Sequence, residues 1–173
     1  SKRHKDMKIN ALVFSKNAPR LNNLLTKINP DYAIGMLSLQ EVTPELAIQM
    51  SDKIDNGEFI VITADRTSVT NHYRSLKTSF LGEDALIPQG AFILASLLKC
   101  PAYFMVCPKV SDNKFEFVFE DFEQNGVVLN RKNRQQDLDK YALKYSDRLE
   151  KYCKLYPQQW FNFFDFWHNG SSK

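Results

Sequence analysis

The sequence predicts a single α/β domain over residues 1–173, built on a mostly parallel or mixed sheet with helices on its faces. Short apolar runs at residues 9–14, 33–39 and 59–63 have the length of strands, and stretches of helical periodicity separate them. This strand–helix–strand–helix–strand order calls for right-handed crossovers and a parallel sheet. With 173 residues, 43% of them hydrophobic, the chain is long enough to bury a core of its own.

The first half of the chain alternates strands and helices. The apolar run at residues 9–14 predicts a buried strand, and leucines at helical spacing predict a helix over 16–28. A second strand is expected at 33–39. Thr43 and Pro44 match an N-cap followed by a proline in the first helical turn, so a second helix is expected to begin there.

The third strand, at residues 59–63, is a continuous apolar run, which predicts burial on both of its faces. Asp65 and Arg66 follow it directly. Because ligands in open α/β sheets bind beyond the carboxyl ends of the strands, this charged pair stands where anchoring or chemistry is expected. A polar loop at 67–78 follows, with a hairpin arm or edge strand predicted at 74–81.

The tripeptide Pro88, Gln89 and Gly90 is predicted to open a helix, with proline near its first turn. The unpaired N–H groups and partial positive charge of a helix start favour an anionic group. A helix start without a ligand is the alternative for this tripeptide. The residues that follow, up to Leu98, are almost all apolar, which predicts deep burial of this helix.

Two strands and a long helix are predicted in the second half. Residues 101–107 predict a buried strand, and the alternation at 114–121 predicts an edge strand with one exposed face. Residues 134–156 predict an amphipathic helix whose tyrosine-rich side packs on the sheet or, alternatively, meets lipid. The aromatic terminus at 157–167 belongs either in a core or at a membrane interface.

Composition excludes several classes of protein. The net charge of +3 is spread without a basic stripe, so no nucleic-acid partner is expected. No apolar run approaches the roughly 20 residues of a membrane span. Cys100, Cys107 and Cys153 form no C-x-x-C pair, which indicates reduced, mostly buried thiols in a cytosolic setting. Neither a metal nor a cofactor is expected.

Several short motifs along the chain are similar to the sequence blocks of one known family. They are the strand ending in arginine at residues 59–66, Phe80-Leu81-Gly82, Ile87-Pro88-Gln89-Gly90, Pro101, Pro157-x-x-Trp160-Phe161 and Asp165-Phe166-Trp167. On these motifs the chain resembles the lysophospholipid acyltransferase superfamily, in particular its branch of bacterial lipid A biosynthesis (late) acyltransferases. The resemblance spans roughly residues 8–167, and Gln89 departs from the glutamate of the general superfamily pattern.

The resemblance implies a glycerol-3-phosphate acyltransferase-like fold and transfer of a fatty acyl group. The donor would be a thioester of acyl carrier protein or of CoA, and the acceptor a hydroxyl or amine on a lipid or lipid headgroup. The implied partners also include the inner-membrane surface, and the implied location is the cytoplasmic face of the bacterial inner membrane, or the cytoplasm for this portion alone.

In that family a histidine with an acid five positions later acts as general base. Here His4, His72 and His168 are followed at that spacing by isoleucine or lysine. No catalytic residue is therefore assigned in this chain. The pair is expected upstream of residue 1, in a longer enzyme of which this chain is the carboxyl-terminal portion, and the chain alone is expected to be inactive.

Arg66 is the leading candidate for a binding residue, because a guanidinium recognises phosphate or carboxylate with two parallel hydrogen bonds. The structural alternative is an arginine paired with Asp65 or Glu83. His72 and Lys77 are candidate contacts for an anionic headgroup or phosphopantetheine, or else solvated loop charges. With Asp65, Pro88, Gln89 and Gly90 these side chains make up the predicted site.

Two other functional classes fit the same pattern. A non-catalytic lipid- or phosphate-binding α/β domain derived from that family would lack the histidine pair by loss. A nucleotide-binding protein would use the same strand ends, but the chain contains no G-x-G-x-x-G or G-K-[ST] phosphate loop.

Overall fold

A computed structural model describes residues 8–13, 27, 34–38, 42–65, 74–161 and 166–167. It is a mixed α/β structure of small sheets and helices, which confirms the coarse fold class. The described strands are β1 (Ile9–Val13), β2 (Ile34–Ser38), β3 (Phe59–Ile62), β4 (Ser75–Phe80), β5 (Glu83–Pro88), β6 (Ala102–Val106), β7 (Lys109–Ser111), β8 (Lys114–Phe115) and β9 (Val118–Glu123). The described helices are α1 (Pro44–Asp55), α2 (Gly90–Leu98) and α3 (Arg134–Leu155), followed by a 3-10 turn at Pro157–Gln159.

The first three strands form a parallel sheet in the order β2-β1-β3, as the alternation of elements predicts. The helix predicted at 16–28 lies outside the described residues, apart from Lys27, which is helical. Among the described residues, the remaining strands form three separate antiparallel pairs, β4–β5, β6–β9 and β7–β8. The single sheet that the sequence predicts is therefore divided into smaller pieces.

Helix α1 begins as its sequence indicates. The Thr43 side-chain oxygen accepts a hydrogen bond from the Leu46 N–H at 3.2 Å, and Pro44 occupies the first turn. Glu45 lies in the same turn, and hydrogen bonds with its own backbone and with Thr43 lower the pKa of its carboxyl. The N-cap satisfies a donor that would otherwise be unpaired.

Replacing Thr43 by alanine is expected to lower the free energy of unfolding by about 1 kcal/mol, because the Leu46 N–H loses its partner. Urea denaturation followed by circular dichroism measures the change. Thr43→Ser keeps the hydroxyl and should retain most of the stability. Equal losses in both variants would mean that the hydroxyl does not cap α1.

In residues 74–90 the structure differs from the prediction that Pro88 opens a helix. Pro88 does not open a helix; it is the last residue of β5 and pairs with Ser75 of β4. The Gln89 N–H donates to the Arg74 carbonyl at 3.0 Å, so the hairpin continues to the point where α2 begins at Gly90. The hairpin arm predicted at 74–81 is confirmed, but its partner strand β5 was not foreseen.

Three burial predictions are also wrong in part. Phe59 of β3 is 56% exposed, so that strand is not covered on both faces. Tyr103 of β6 is exposed while Phe104 is buried, so β6 has one solvent-exposed face and one buried face. Leu97 leaves one side of α2 exposed. Within the described part of the chain, β3, β6 and α2 therefore each have an exposed side.

The core lies between the hairpins and the helices. The larger cluster joins α2 and α3 to the strand pairs β4–β5 and β6–β9, and the smaller one packs Leu12, Met50 and Leu94. Helix α2 takes part in both, through Phe92 in the larger and Leu94 in the smaller. It therefore holds the parallel sheet against the rest of the fold.

Helix α3 confirms the predicted amphipathic helix within one residue of its predicted end. Its tyrosines pack on their own domain: the ring centroid of Tyr145 lies 5.7 Å from that of Phe104, and Tyr141 lies 6.1 Å from Phe122. In the part of the chain that the structure describes, no helix has the length and apolar character needed to cross a membrane.

Candidate functional site

A cavity of about 390 Å³ lies between the end of β3 and strand β6. Helices α2 and α3 supply the rest of its wall, together with Phe122 and Val127. In the described structure β3 hydrogen-bonds only to β1, and β6 only to β9, so these two strands leave space between them. The cavity occupies that space.

Most of the cavity wall is apolar, and part of it consists of small side chains that leave the cavity volume open. Ala91 and Ala95 stand one turn apart on the same side of α2, with Phe92 beside them. Leu149 of α3 closes the far side. A wall of this kind suits a hydrocarbon ligand, since pockets that bind small molecules are lined mainly by apolar side chains with few polar groups.

Two of the polar side chains in the cavity wall lie near each other, and we call this part of the wall the polar end. Asp65, three residues beyond β3, and Tyr145 of α3 both line it. Burial raises the pKa of the Tyr145 phenol well above its usual range, the negative charge of Asp65 raises it further, and a hydrogen bond with the Ala64 backbone opposes the shift. The phenol therefore stays neutral and lies close to the end of β3.

Cys153, one turn of α3 beyond Leu149, also senses the Asp65 charge. Burial raises the pKa of its thiol to about 11, with smaller contributions from Asp65 and Glu150. The charge of Asp65 contributes to the raised pKa of both Tyr145 and Cys153, which indicates that its carboxyl group lies near α3. Asp65 and Tyr145 both line the cavity.

The structure brings only part of the predicted site together. Asp65 lines the cavity, whereas Arg66 and His72 lie outside the described residues. Lys77 belongs to the exposed side of the β4–β5 hairpin, where its Nζ lies 2.6 Å from Asp84 Oδ2 across the pair. For Lys77 the geometry favours a surface ion pair of small energetic value.

Residues 88–90 make structural contacts that the sequence does not predict. Pro88 is buried in the hairpin, and the Gln89 N–H is used by Arg74. A Cβ on Gly90 would lie 3.4 Å from Val42 Cγ2, so the start of α2 lies within van der Waals distance of the segment before α1. The cavity wall starts with the next residue, Ala91. The tripeptide positions the helix that forms the wall.

Two contributors to the site were missed from the sequence. Tyr145 was placed on the packing side of α3, with no role beside Asp65. Ala91 and Ala95 lie four positions apart on the same face of α2, but their sequence pattern predicts only an apolar helix. Their recognition depends on which strands the helix faces, and that is a property of the tertiary fold.

A second, wider cleft of about 930 Å³ lies between the β7–β8 hairpin, the end of α3 and the turn at Pro157–Gln159. The Gln159 side chain holds the turn to β7, because its Oε1 accepts from the Lys109 N–H at 2.7 Å and its Nε2 donates to the Lys109 carbonyl at 2.8 Å. No predicted site residue lines this cleft. The smaller cavity is the better candidate, because Asp65, a predicted site residue, lines it.

Within the described residues, no three His, Cys, Asp or Glu side chains come together as metal ligands would. Comparison with known proteins adds no assignment to this geometry. No protein-family model matches the chain, and no curated protein is significantly similar to it.

Proposed function

We propose that this chain binds a fatty acyl group in the cavity between β3 and β6, as part of an enzyme that transfers the group from a carrier thioester to a lipid acceptor. The observation that supports the proposal is an apolar cavity with Asp65 and Tyr145 at one end. Its volume of about 390 Å³ falls in the range of roughly 300–1,000 Å³ found for ligand pockets.

Burial of hydrocarbon supplies the binding energy in this proposal. Each methylene removed from water contributes about 0.8 kcal/mol, and the alanines of α2 leave the space that a chain needs. The Asp65 carboxylate makes its end of the cavity unfavourable for hydrocarbon. The tail is therefore expected against Ala95 and Phe92, and the thioester toward Asp65.

The carrier would be held next to that polar end. Acyl carrier protein and CoA both present the acyl group on a phosphopantetheine arm, and Arg66 directly follows Asp65 in the sequence. A guanidinium is suited to a phosphate group. The proposal therefore gives Arg66 the anchoring role, in a protein that works at the cytoplasmic face of the inner membrane. No general base is assigned within this chain.

A non-catalytic lipid-binding domain is the second candidate, because the cavity could hold a lipid without a catalytic general base in the chain. The two candidates differ in turnover. A transfer assay with radiolabelled acyl-CoA and lysophospholipid would detect turnover by the longer enzyme under the first candidate only, and the isolated chain is expected to bind without transferring under both. Robust transfer by this chain would mean that a base within it has been overlooked.

Acyl binding itself is tested with cis-parinaric acid, a fatty acid whose fluorescence rises in an apolar site. The 173-residue chain is expected to bind it saturably. Ala95→Phe fills the cavity and should weaken binding by about tenfold or more, since a few methylenes lose their place. Leu97→Phe adds bulk to the exposed side of the same helix and should leave binding unchanged.

Thermal melts would establish that the variants are folded. Ala95→Met fills less of the cavity and serves if Ala95→Phe does not fold. Absence of saturable binding by the unmodified chain, or equal binding by the folded Ala95 variants, would overturn the proposal.

A further inference from the structure

Tyr145 lines the cavity with its ring packed against two buried phenylalanines. Its ring centroid lies 6.3 Å from that of Phe92 and 5.7 Å from that of Phe104, both in edge-on arrangements. Phe92 and Phe104 belong to the core and also line the cavity. Edge-on contacts with two buried rings restrict the orientation of the Tyr145 ring, and therefore the position of its hydroxyl in the cavity wall.

The Tyr145 hydroxyl is a neutral hydrogen-bond donor. Burial and the charge of Asp65 raise the pKa of the phenol, and a hydrogen bond with the Ala64 backbone lowers it in part. A hydrogen bond that lowers the pKa of an acid favours its ionised form, so the phenol oxygen accepts from the Ala64 N–H. This bond does not use the hydroxyl proton. The phenol can therefore donate to a second group while Ala64 holds its oxygen.

An acyl group brings a carbonyl oxygen into the cavity, and that oxygen needs a donor. Among the residues that line the cavity, Thr63, Tyr103 and Tyr145 carry hydroxyl groups. Thr63 and Tyr103 are exposed, so water competes for their hydrogen bonds, whereas Tyr145 is half-buried. A carboxylate such as that of Asp65 only accepts hydrogen bonds and repels a carbonyl oxygen. Tyr145 is therefore the donor best placed for the acyl carbonyl.

We propose that the Tyr145 hydroxyl donates a hydrogen bond to the carbonyl oxygen of the bound acyl group, so that the cavity selects acyl thioesters over alkyl chains without a carbonyl. The inference rests on the proposed acyl-binding function and adds the residue that recognises the carbonyl. A carbonyl that enters an apolar cavity loses its hydrogen bonds to water, and this loss weakens binding unless the protein replaces them. Tyr145 supplies the replacement at the polar end.

Competition between two matched ligands tests the proposal. Lauroyl-CoA and S-dodecyl-CoA have the same carrier and chain length, and they differ only in that a methylene of the thioether replaces the thioester carbonyl. The 173-residue chain is expected to bind lauroyl-CoA about three- to tenfold more tightly, as measured by displacement of cis-parinaric acid. Tyr145→Phe keeps the ring and removes the hydroxyl. It should weaken binding of lauroyl-CoA by the same factor and leave binding of S-dodecyl-CoA unchanged.

Tyr141→Phe is the matched control. It removes a hydroxyl one turn earlier on α3, where the phenol oxygen accepts from the Val128 N–H at 3.2 Å. Tyr141 is not among the residues that line the described cavity, so this variant should keep the preference for lauroyl-CoA. Loss of the preference in both folded variants would assign the effect to the packing of α3 and overturn the proposal.

Infrared spectroscopy of lauroyl-CoA labelled with ¹³C at the thioester carbonyl detects the hydrogen bond directly. Donation by Tyr145 should lower the carbonyl stretching frequency in the complex with the unmodified chain relative to the complex with Tyr145→Phe. Equal frequencies in the two folded proteins, or equal changes in affinity for the two ligands, would overturn this proposal alone. Absence of saturable cis-parinaric acid binding by the unmodified chain would overturn the proposed function and this inference together.

Discussion

Replacing Phe80 by alanine is expected to lower the free energy of unfolding by about 3–5 kcal/mol, the largest stability change expected in this chain. The side chain is 0% exposed and stands at the end of β4. Its ring centroid lies 5.1 Å from that of Trp160 and 5.2 Å from that of Phe166. Truncation removes these contacts and leaves a void that the surrounding rings can only partly fill.

Urea denaturation followed by tryptophan fluorescence measures this loss, and Trp160 lies next to the site of change. Phe59→Ala is the matched control, because that ring is more than half exposed and should cost less than about 1 kcal/mol. Similar small losses in the two variants would show that the carboxyl-terminal aromatic residues do not close over Phe80. In that case the aromatic terminus would be available for a membrane instead of the core.

Local signals predicted the elements that depend on neighbouring residues. Thr43 and Pro44 marked the start of α1, and the helical period of residues 134–156 matched α3 almost to the residue. The apolar runs found β1 and β3, and the strand–helix alternation gave their parallel pairing correctly. The start of α1, the extent of α3 and the positions of β1 and β3 are each determined within a window of some ten to twenty residues, whereas the parallel pairing follows from the order of strands and helices along the chain.

Some strand pairings had no clear signal in the sequence. The segment 83–88 has no strong strand pattern, and it becomes β5 because the turn at Leu81 and Gly82, both with positive φ, folds it back on β4. The alternation at 114–121 predicted that one face of the strand is exposed, but it did not determine whether the phenylalanines or the residues between them lie on that face. Phe115, Phe117 and Phe119 are exposed, whereas Phe122 of β9 and Phe104 of β6 are buried in the core.

The candidate site also combines a feature that the sequence predicts with one that it does not. The position of Asp65 after a strand predicts that it lies beyond the strand end, and Asp65 lines the cavity there. Its role in binding stays a prediction. Tyr145, which completes the polar end, is 80 residues further along the chain and reaches Asp65 only through the packing of α3. Residues that meet across such a distance leave no periodic signal in one sequence.

The alkylation rate of the Cys153 thiol is expected to depend on the position of the Asp65 carboxylate. Burial, Asp65 and Glu150 together raise its pKa from 9.0 to about 11, so roughly one thiol in a hundred is ionised at pH 9 in the folded protein. Iodoacetamide reacts with the thiolate, so alkylation at pH 9 should be slow. The raised pKa also favours folding below pH 9, and that contribution is lost as pH rises through about 11.

Asp65→Asn removes the negative charge and should lower the pKa of Cys153. In a background of Cys100→Ser and Cys107→Ser, alkylation of Cys153 at pH 9 should therefore become faster, and the alkaline loss of stability should begin at lower pH. Asp55→Asn, at the end of α1, provides a matched change of charge that should leave the rate unaltered. An unchanged rate in folded Asp65→Asn would place the carboxylate away from α3. The cavity would then lack its charged end, and the orientation proposed for the acyl thioester would have no physical basis.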